Sequence, residues 1–126
     1  MKNALILFAH GARDARWAAP FERLREIAQA ELPGTAVSLA FLELMAPRLP
    51  EAVASLVQDG CLDVSVVPVF LGQGGHVLRD LPVLVEELRR TYPQLKISVA
   101  AAVGEDAAVL AAIARYCVAT VADQAA

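Results

Sequence analysis

The sequence predicts an α/β fold: one parallel four-stranded sheet with helices packed on both faces. Three observations lead there. Short apolar runs alternate with longer amphipathic ones four times, β-α-β-α-β-α-β-α, and such alternation builds a parallel sheet. The first run, Ala4 to Ala9, has no polar residue to mark a solvent face, as suits a strand buried on both sides. Much of the 57% apolar content is alanine and valine, which suits close packing of helices on a sheet.

Each element has its own signal. The first strand stops at His10-Gly11. Helical periodicity follows from Arg16 to Leu32, with Trp17, Phe21, Leu24 and Ile27-Ala28 on one stripe and Glu22, Arg23, Arg25 and Glu26 mostly off it. Pro20 is tolerable only in a first turn, which allows a later start, and Pro33-Gly34 ends the helix. Thr35 to Leu42 is the second strand, and Pro47 to Gln58 the second helix, stopped by Gly60. Leu62 to Phe70, rich in valine, is the third strand. A glycine-rich turn, Gly72-Gln73-Gly74-Gly75, leads into a third helix from about His76 to Arg90. Leu81, Leu84-Val85 and Leu88 share one side of it, and Pro82 belongs near its beginning. Leu95 to Ala102 is the fourth strand. Asp106 to Val121 is a fourth helix, apolar nearly all round and so expected to be buried on more than one side.

The 126 residues fit one domain, spanning 1–126. A net charge of −3 offers no electrostatic footing for nucleic acid or an anionic membrane. No apolar run approaches the roughly 18 residues that span a bilayer, and the opening run is cut short at His10 without a cleavage site. The expectation is a soluble, cytoplasmic protein. Cys61 and Cys117 are far apart, form no C-x-x-C pair, and read as small buried apolar residues of a reducing compartment. A disulfide or metal pair is the minor alternative.

In open parallel sheets, ligands bind beyond the carboxyl ends of the strands. The residues placed there are His10 to Arg13, Glu43, and Gly72 to His76. Both histidines of the chain lie on this edge. Either one alone reads better as a strand-end or helix-start residue satisfied by backbone, and Glu43 alone as a solvated or capping carboxylate. Together, two imidazoles and a carboxylate make a ligand set for a borderline divalent ion. Bringing the histidines to adjacent strands requires the order 2-1-3-4. The glycine turn can cradle an anion or simply turn tightly. It matches neither the P-loop nor the dinucleotide fingerprint. Arg13, Arg16, Arg48 and Arg79 fall in or near the same rim, where a cluster would hold carboxylates bidentately.

Three segments carry a family resemblance. Leu5 to Asp14 resembles the opening strand and H-G-[SA]-R loop of the sirohydrochlorin chelatase family. Phe41 to Pro47 resembles its F-x-E-x-x-x-P segment, and Val67 to Pro82 its P-x-F-L…G-x-H-V-x-x-D-[IL]-P segment. The resemblance implies a flavodoxin-like, chelatase-like half of four strands, similar to the small single-domain members. It implies metal-binding histidines at His10 and His76, with Glu43 as the motif glutamate and a third ligand or proton acceptor. The metal, Co²⁺, Fe²⁺ or Ni²⁺, would be a substrate, with no organic cofactor. The anionic tetrapyrrole would meet Arg13, Arg79 and the turn Gly72, Gln73, Gly74, Gly75, a loop that departs from bulkier relatives. Because the small members resemble half of a two-domain chelatase, and one sheet can cover only one side of the fourth helix, a homodimer is expected.

Three rivals remain at this point. A histidine phosphatase also opens strand–His–Gly, but an arginine precedes its histidine and Ala9 stands here. A non-enzymatic metal carrier would use the same ligands, and a flavodoxin-like binding module the same fold.

Overall fold

The computed structural model describes the backbone of residues 2–72 and 75–125, with side chains throughout except at 75–78 and 123–125. In chain order the elements are β1 (Lys2–Ala9), a 3-10 turn (Ala15–Ala18), α1 (Ala19–Glu31), β2 (Thr35–Phe41), α2 (Leu49–Gln58), β3 (Cys61–Pro68), α3 (Gly75–Thr91), β4 (Lys96–Val99), a second 3-10 turn (Val103–Glu105) and α4 (Ala107–Ala125). The sheet is parallel throughout, in the predicted order β2-β1-β3-β4.

Side chains alternate across a strand, so each strand serves two faces. On one face Ala4, Ile6 and Phe8 of β1 join Val64 and Val66 of β3, Ile97 of β4 and Ala40 of β2 in the main core. Two helices close over it. In α2, Leu49, Ala52, Val53 and Leu56 recur at i, i+3, i+4 and i+7, the spacing of a helix stripe, and all four are buried. The Arg48 backbone N–H donates to Glu51 Oε1 at 3.0 Å, which fixes where that helix starts. In α3, Leu81, Val85 and Leu88 are buried, as their spacing predicts.

On the other face α1 lies over β2 and β1. The Gln29 side chain stitches it to the sheet edge: its amide nitrogen donates to the carbonyls of Thr35 at 2.7 Å and Leu32 at 2.9 Å, and its oxygen accepts from the Val37 N–H at 3.0 Å. The Thr35 and Val37 groups belong to an edge strand with no further strand beyond it among the described residues.

Several expectations need correction or sharpening. Residues 15–18 form a separate 3-10 turn, so α1 starts at Ala19 with Pro20 in its first turn. Its stripe is only partly covered, because Leu24 and Ile27 are exposed, Ile27 to 64%. Pro82 lies inside α3, which starts seven residues earlier at Gly75, so it brings no N–H to that part of the helix ladder. Most consequential is α4. It is not buried on any side: it packs chiefly on the 3-10 turn that leads into it, and Leu110, Ile113, Tyr116, Val118 and Val121 are exposed. Composition told that this helix needs cover, but the described residues supply little beyond that turn. Cys117, on α4, is therefore exposed instead of buried, while Cys61 is buried, and both are free thiols.

Candidate metal and tetrapyrrole site

β1 and β2 end in register, Ala9 beside Phe41, but their pairing runs on. The Leu42 N–H donates to the Ala9 carbonyl at 2.9 Å, and the Glu43 N–H to the His10 carbonyl at 3.1 Å. This continued ladder sets His10 and Glu43 side by side past the strand ends. Their side chains meet: His10 Nε2 is 3.0 Å from Glu43 Oε1. Both are a little under half exposed, at 44% and 42%, so the pair is held by protein and reachable from solvent.

Gly11 makes that approach possible. Its φ is +99°, a region disfavoured for other residues. A Cβ there would overlap the Glu43 carbonyl oxygen. Leu44, next to Glu43, also has a positive φ of 69°. Under both loops lies a small second core of Ala9, Ala18 and Phe41, with Trp17, Phe21, Leu39 and Met45 packed on it. Trp17 is its centre, with ring centroids 4.5 Å from Phe21 and 6.3 Å from Phe41.

The third loop is anchored in the same manner. The Val69 N–H donates to the Phe8 carbonyl at 2.8 Å, and Phe70 packs edge-on against Phe8 with centroids 6.0 Å apart. The Gly104 N–H donates to the Phe70 carbonyl at 2.9 Å, and a Cβ on Gly104 would overlap the Leu71 carbonyl oxygen. Gly104 thus braces the approach to the glycine turn, a role that no sequence pattern around it announces.

The predicted site residues divide as follows. His10 and Glu43 are brought together. Gly72 is exposed on the rim, and Gly75 opens α3. His76 is the second residue of α3, which follows β3, the neighbour of β1. The His76 side chain and residues Gln73 and Gly74 lie outside the described residues. Arg13 and Arg79 are exposed near this edge. The other two arginines have local duties. Arg16 grips Asp14 through Nη2 to Oδ2 at 2.7 Å and Nε to Oδ1 at 3.1 Å. Those side-chain bonds, then the Arg16 backbone N–H, hold the Asp14 carboxyl below its ordinary range. Arg48 donates from Nε to the Leu42 carbonyl at 3.2 Å, steadying the loop that carries Glu43. Among the described residues, no three His, Cys, Asp or Glu side chains converge as a metal cage. Of the ligand set expected from the sequence, the His10–Glu43 pair is the part among the described side chains.

An imidazole and a carboxylate in hydrogen-bond contact can bind a borderline divalent ion and accept protons. The contact orients the His10 ring, as carboxylates commonly do for metal-ligating histidines.

A parallel 2-1-3-4 sheet with a histidine–glutamate pair beyond its first two strands defines a chelatase-like α/β domain. The comparison with known proteins agrees. The CbiX family model matches residues 4–119, and the chain belongs to the CbiX family. It is 30% identical over 102 residues to a sirohydrochlorin cobaltochelatase of Sulfolobus acidocaldarius, covering 81% of this chain and 79% of that protein. It is 26% identical over 113 residues to the sirohydrochlorin ferrochelatase of Bacillus subtilis, covering 90% of this chain but 43% of that one, so it spans under half of that relative. Among solved structures, the CbiX protein of Marinobacter aquaeolei VT8 superposes with a TM-score of 0.84 at 31% identity, covering 97% of this chain and 98% of that one. The cobalt complex of the sirohydrochlorin chelatase SirB from Bacillus subtilis subspecies spizizenii matches with a TM-score of 0.75 at 26% identity, over 84% of this chain and 45% of that one. No helix among the described residues is long and apolar enough to cross a membrane.

Proposed function

We propose that this protein is a sirohydrochlorin chelatase, inserting a divalent ion, cobalt first and iron next, into the macrocycle for cobalamin or siroheme biosynthesis. The observation that carries the reading is the His10–Glu43 contact of 3.0 Å at the carboxyl edge of the sheet, in a chain similar to proteins named sirohydrochlorin chelatases. Insertion exchanges two pyrrole N–H protons for one divalent cation, so the site must present the ion and take up protons. Catalysis falls to His10, Glu43 and His76. His10 and His76 hold the incoming ion, and Glu43 orients His10 and receives a proton through it, or joins as a third ligand. Arg13 and Arg79, with the turn of Gly72, Gln73, Gly74 and Gly75, hold the carboxylates of the tetrapyrrole. The protein works as a homodimer in the cytoplasm, without an organic cofactor.

Steady-state insertion of Co²⁺, Fe²⁺ and Ni²⁺ into sirohydrochlorin, followed by absorbance, tests the reading. Turnover well beyond one equivalent per chain is expected, fastest with cobalt. A single equivalent delivered and no more would make the protein a metal carrier.

A further inference from the structure

The loop from Leu42 to Arg48 joins β2 to α2 and carries Glu43. The Phe41 N–H donates to the Pro47 carbonyl at 2.9 Å, which closes the base of this loop. One peptide unit inside it is held at both ends. That unit joins Leu42 to Glu43. Its N–H donates to the His10 carbonyl at 3.1 Å, and its C=O accepts from Arg48 Nε at 3.2 Å. A peptide unit is planar, so fixing both ends fixes the direction in which the chain enters Glu43. Leu42 is 4% exposed, and the carbonyl of a buried residue is costly to leave without a donor. The residue after Glu43 gives little hold of its own. Leu44 has a φ of 69°, which a leucine adopts only where its surroundings impose it, and it is 56% exposed.

The backbone and the side chain of Arg48 do different things. The backbone N–H donates to Glu51 Oε1 and starts α2, while the side chain reaches back across the loop to Leu42. Its base is firm, because the next residue, Leu49, is fully buried in the main core with Ala52, Val53 and Leu56. A guanidinium grips a carboxylate with two N–H groups on one side. With Nε committed to Leu42, the side that pairs Nε with a terminal nitrogen is already in use.

We propose that Arg48 is a positioning residue for metal insertion: it holds the Leu42–Glu43 peptide so that the Glu43 carboxylate stays against His10, and it is not one of the arginines that grip the tetrapyrrole. The role rests on the chelatase reading above and deepens it. It ties the rim to the first turn of α2, so that the core under that helix sets the geometry of the His10–Glu43 pair.

Arg48→Met keeps most of the stem and removes the donor, and it leaves the backbone bond that starts α2 in place. Its kcat for cobalt insertion into sirohydrochlorin should fall roughly 10- to 100-fold, the usual cost of losing a group that orients a ligand. The KM for sirohydrochlorin should stay within about twofold, since uniform binding is untouched. The Glu43 amide, followed by NMR, should exchange with solvent about tenfold faster as the loop opens locally, while the Leu7 amide inside the sheet stays as it was. With two histidines in the chain, the His10 ring signals are readily assigned, and they should shift. Arg48→Lys, which restores a donor on a stem of similar reach, should recover much of each change. A raised KM with native kcat would mean that Arg48 grips the tetrapyrrole directly, and would overturn the role. Faster exchange with native kcat would overturn it too, leaving a loop tie without consequence for the reaction. So would a lost kcat that lysine does not restore. The exchange rate and the His10 signals use neither metal nor tetrapyrrole. A wild-type protein that inserts no metal would therefore end the chelatase reading, while a Glu43 amide and His10 ring unmoved by Arg48→Met would end the positioning role on its own.

Discussion

Gly11 is among the most constrained residues of the rim. Gly11→Ala must pay at least about 1–2 kcal/mol for a left-handed backbone, and its methyl group has the Glu43 carbonyl in its way. The expected result is a lower midpoint in chemical denaturation together with loss of insertion, since the displaced main chain is the one that carries Glu43. The arginines should behave differently. Arg13→Ala and Arg79→Ala each remove a charge-assisted contact of about 1.5–3 kcal/mol, so tetrapyrrole affinity should fall roughly 10- to 100-fold. Calorimetric affinity for Co²⁺ should stay within about twofold. A parallel loss of both would mean that these arginines shape the metal site itself. At this scale much was legible in the sequence. His10 and Glu43 each follow directly on an apolar strand, and residues so placed in a parallel sheet share an edge. The orientation of one by the other was not legible, because it depends on ladder bonds between residues 33 positions apart. Nor was the division of the arginines, since the hold of Arg16 on Asp14 and of Arg48 on the Leu42 carbonyl depends on rotamers.

The elements followed their periodicities where packing and pattern agreed. The stripe expected on α3 buries Leu81, Val85 and Leu88 and partly buries Leu84, and α2 buries an apolar stripe of its own. The departures came where a local signal had no tertiary counterpart. Pro20 and Pro82 carry the same steric rule, yet one starts a helix and the other sits inside one. The close fit of Gly104 on Leu71 could not be read from the chain, because a lone glycine in a loop has many uses. Gly104→Ala should therefore reach two elements at once. The overlap displaces either the turn that leads to α4 or the residues that lead to the glycine turn. A drop in thermal midpoint and a drop in insertion rate are both expected, with Co²⁺ affinity weakened as well if the turn carrying His76 moves. A variant with native stability and native rate would show that the loop has room to spare.

The relatives of the whole molecule come in two lengths. The chain spans less than half of the Bacillus subtilis ferrochelatase it matches and most of the Sulfolobus acidocaldarius cobaltochelatase. Its fourth helix, which the sequence marks as needing cover all round, is exposed, and half of one sheet face is bare. Sequence could say that α4 wants burial but not what buries it, because an all-apolar helix has no polar face to give its orientation. The rim nevertheless stands on elements that need none of that cover: β1, β2 and the small core around Trp17 hold His10 and Glu43. The most direct test of the account is the initial rate of cobalt insertion into sirohydrochlorin by the His10→Ala, His76→Ala double variant, with circular dichroism confirming its fold. The account requires a rate no faster than the uncatalysed reaction. Insertion clearly above that background would contradict the assignment of the rim, whatever the family of the chain.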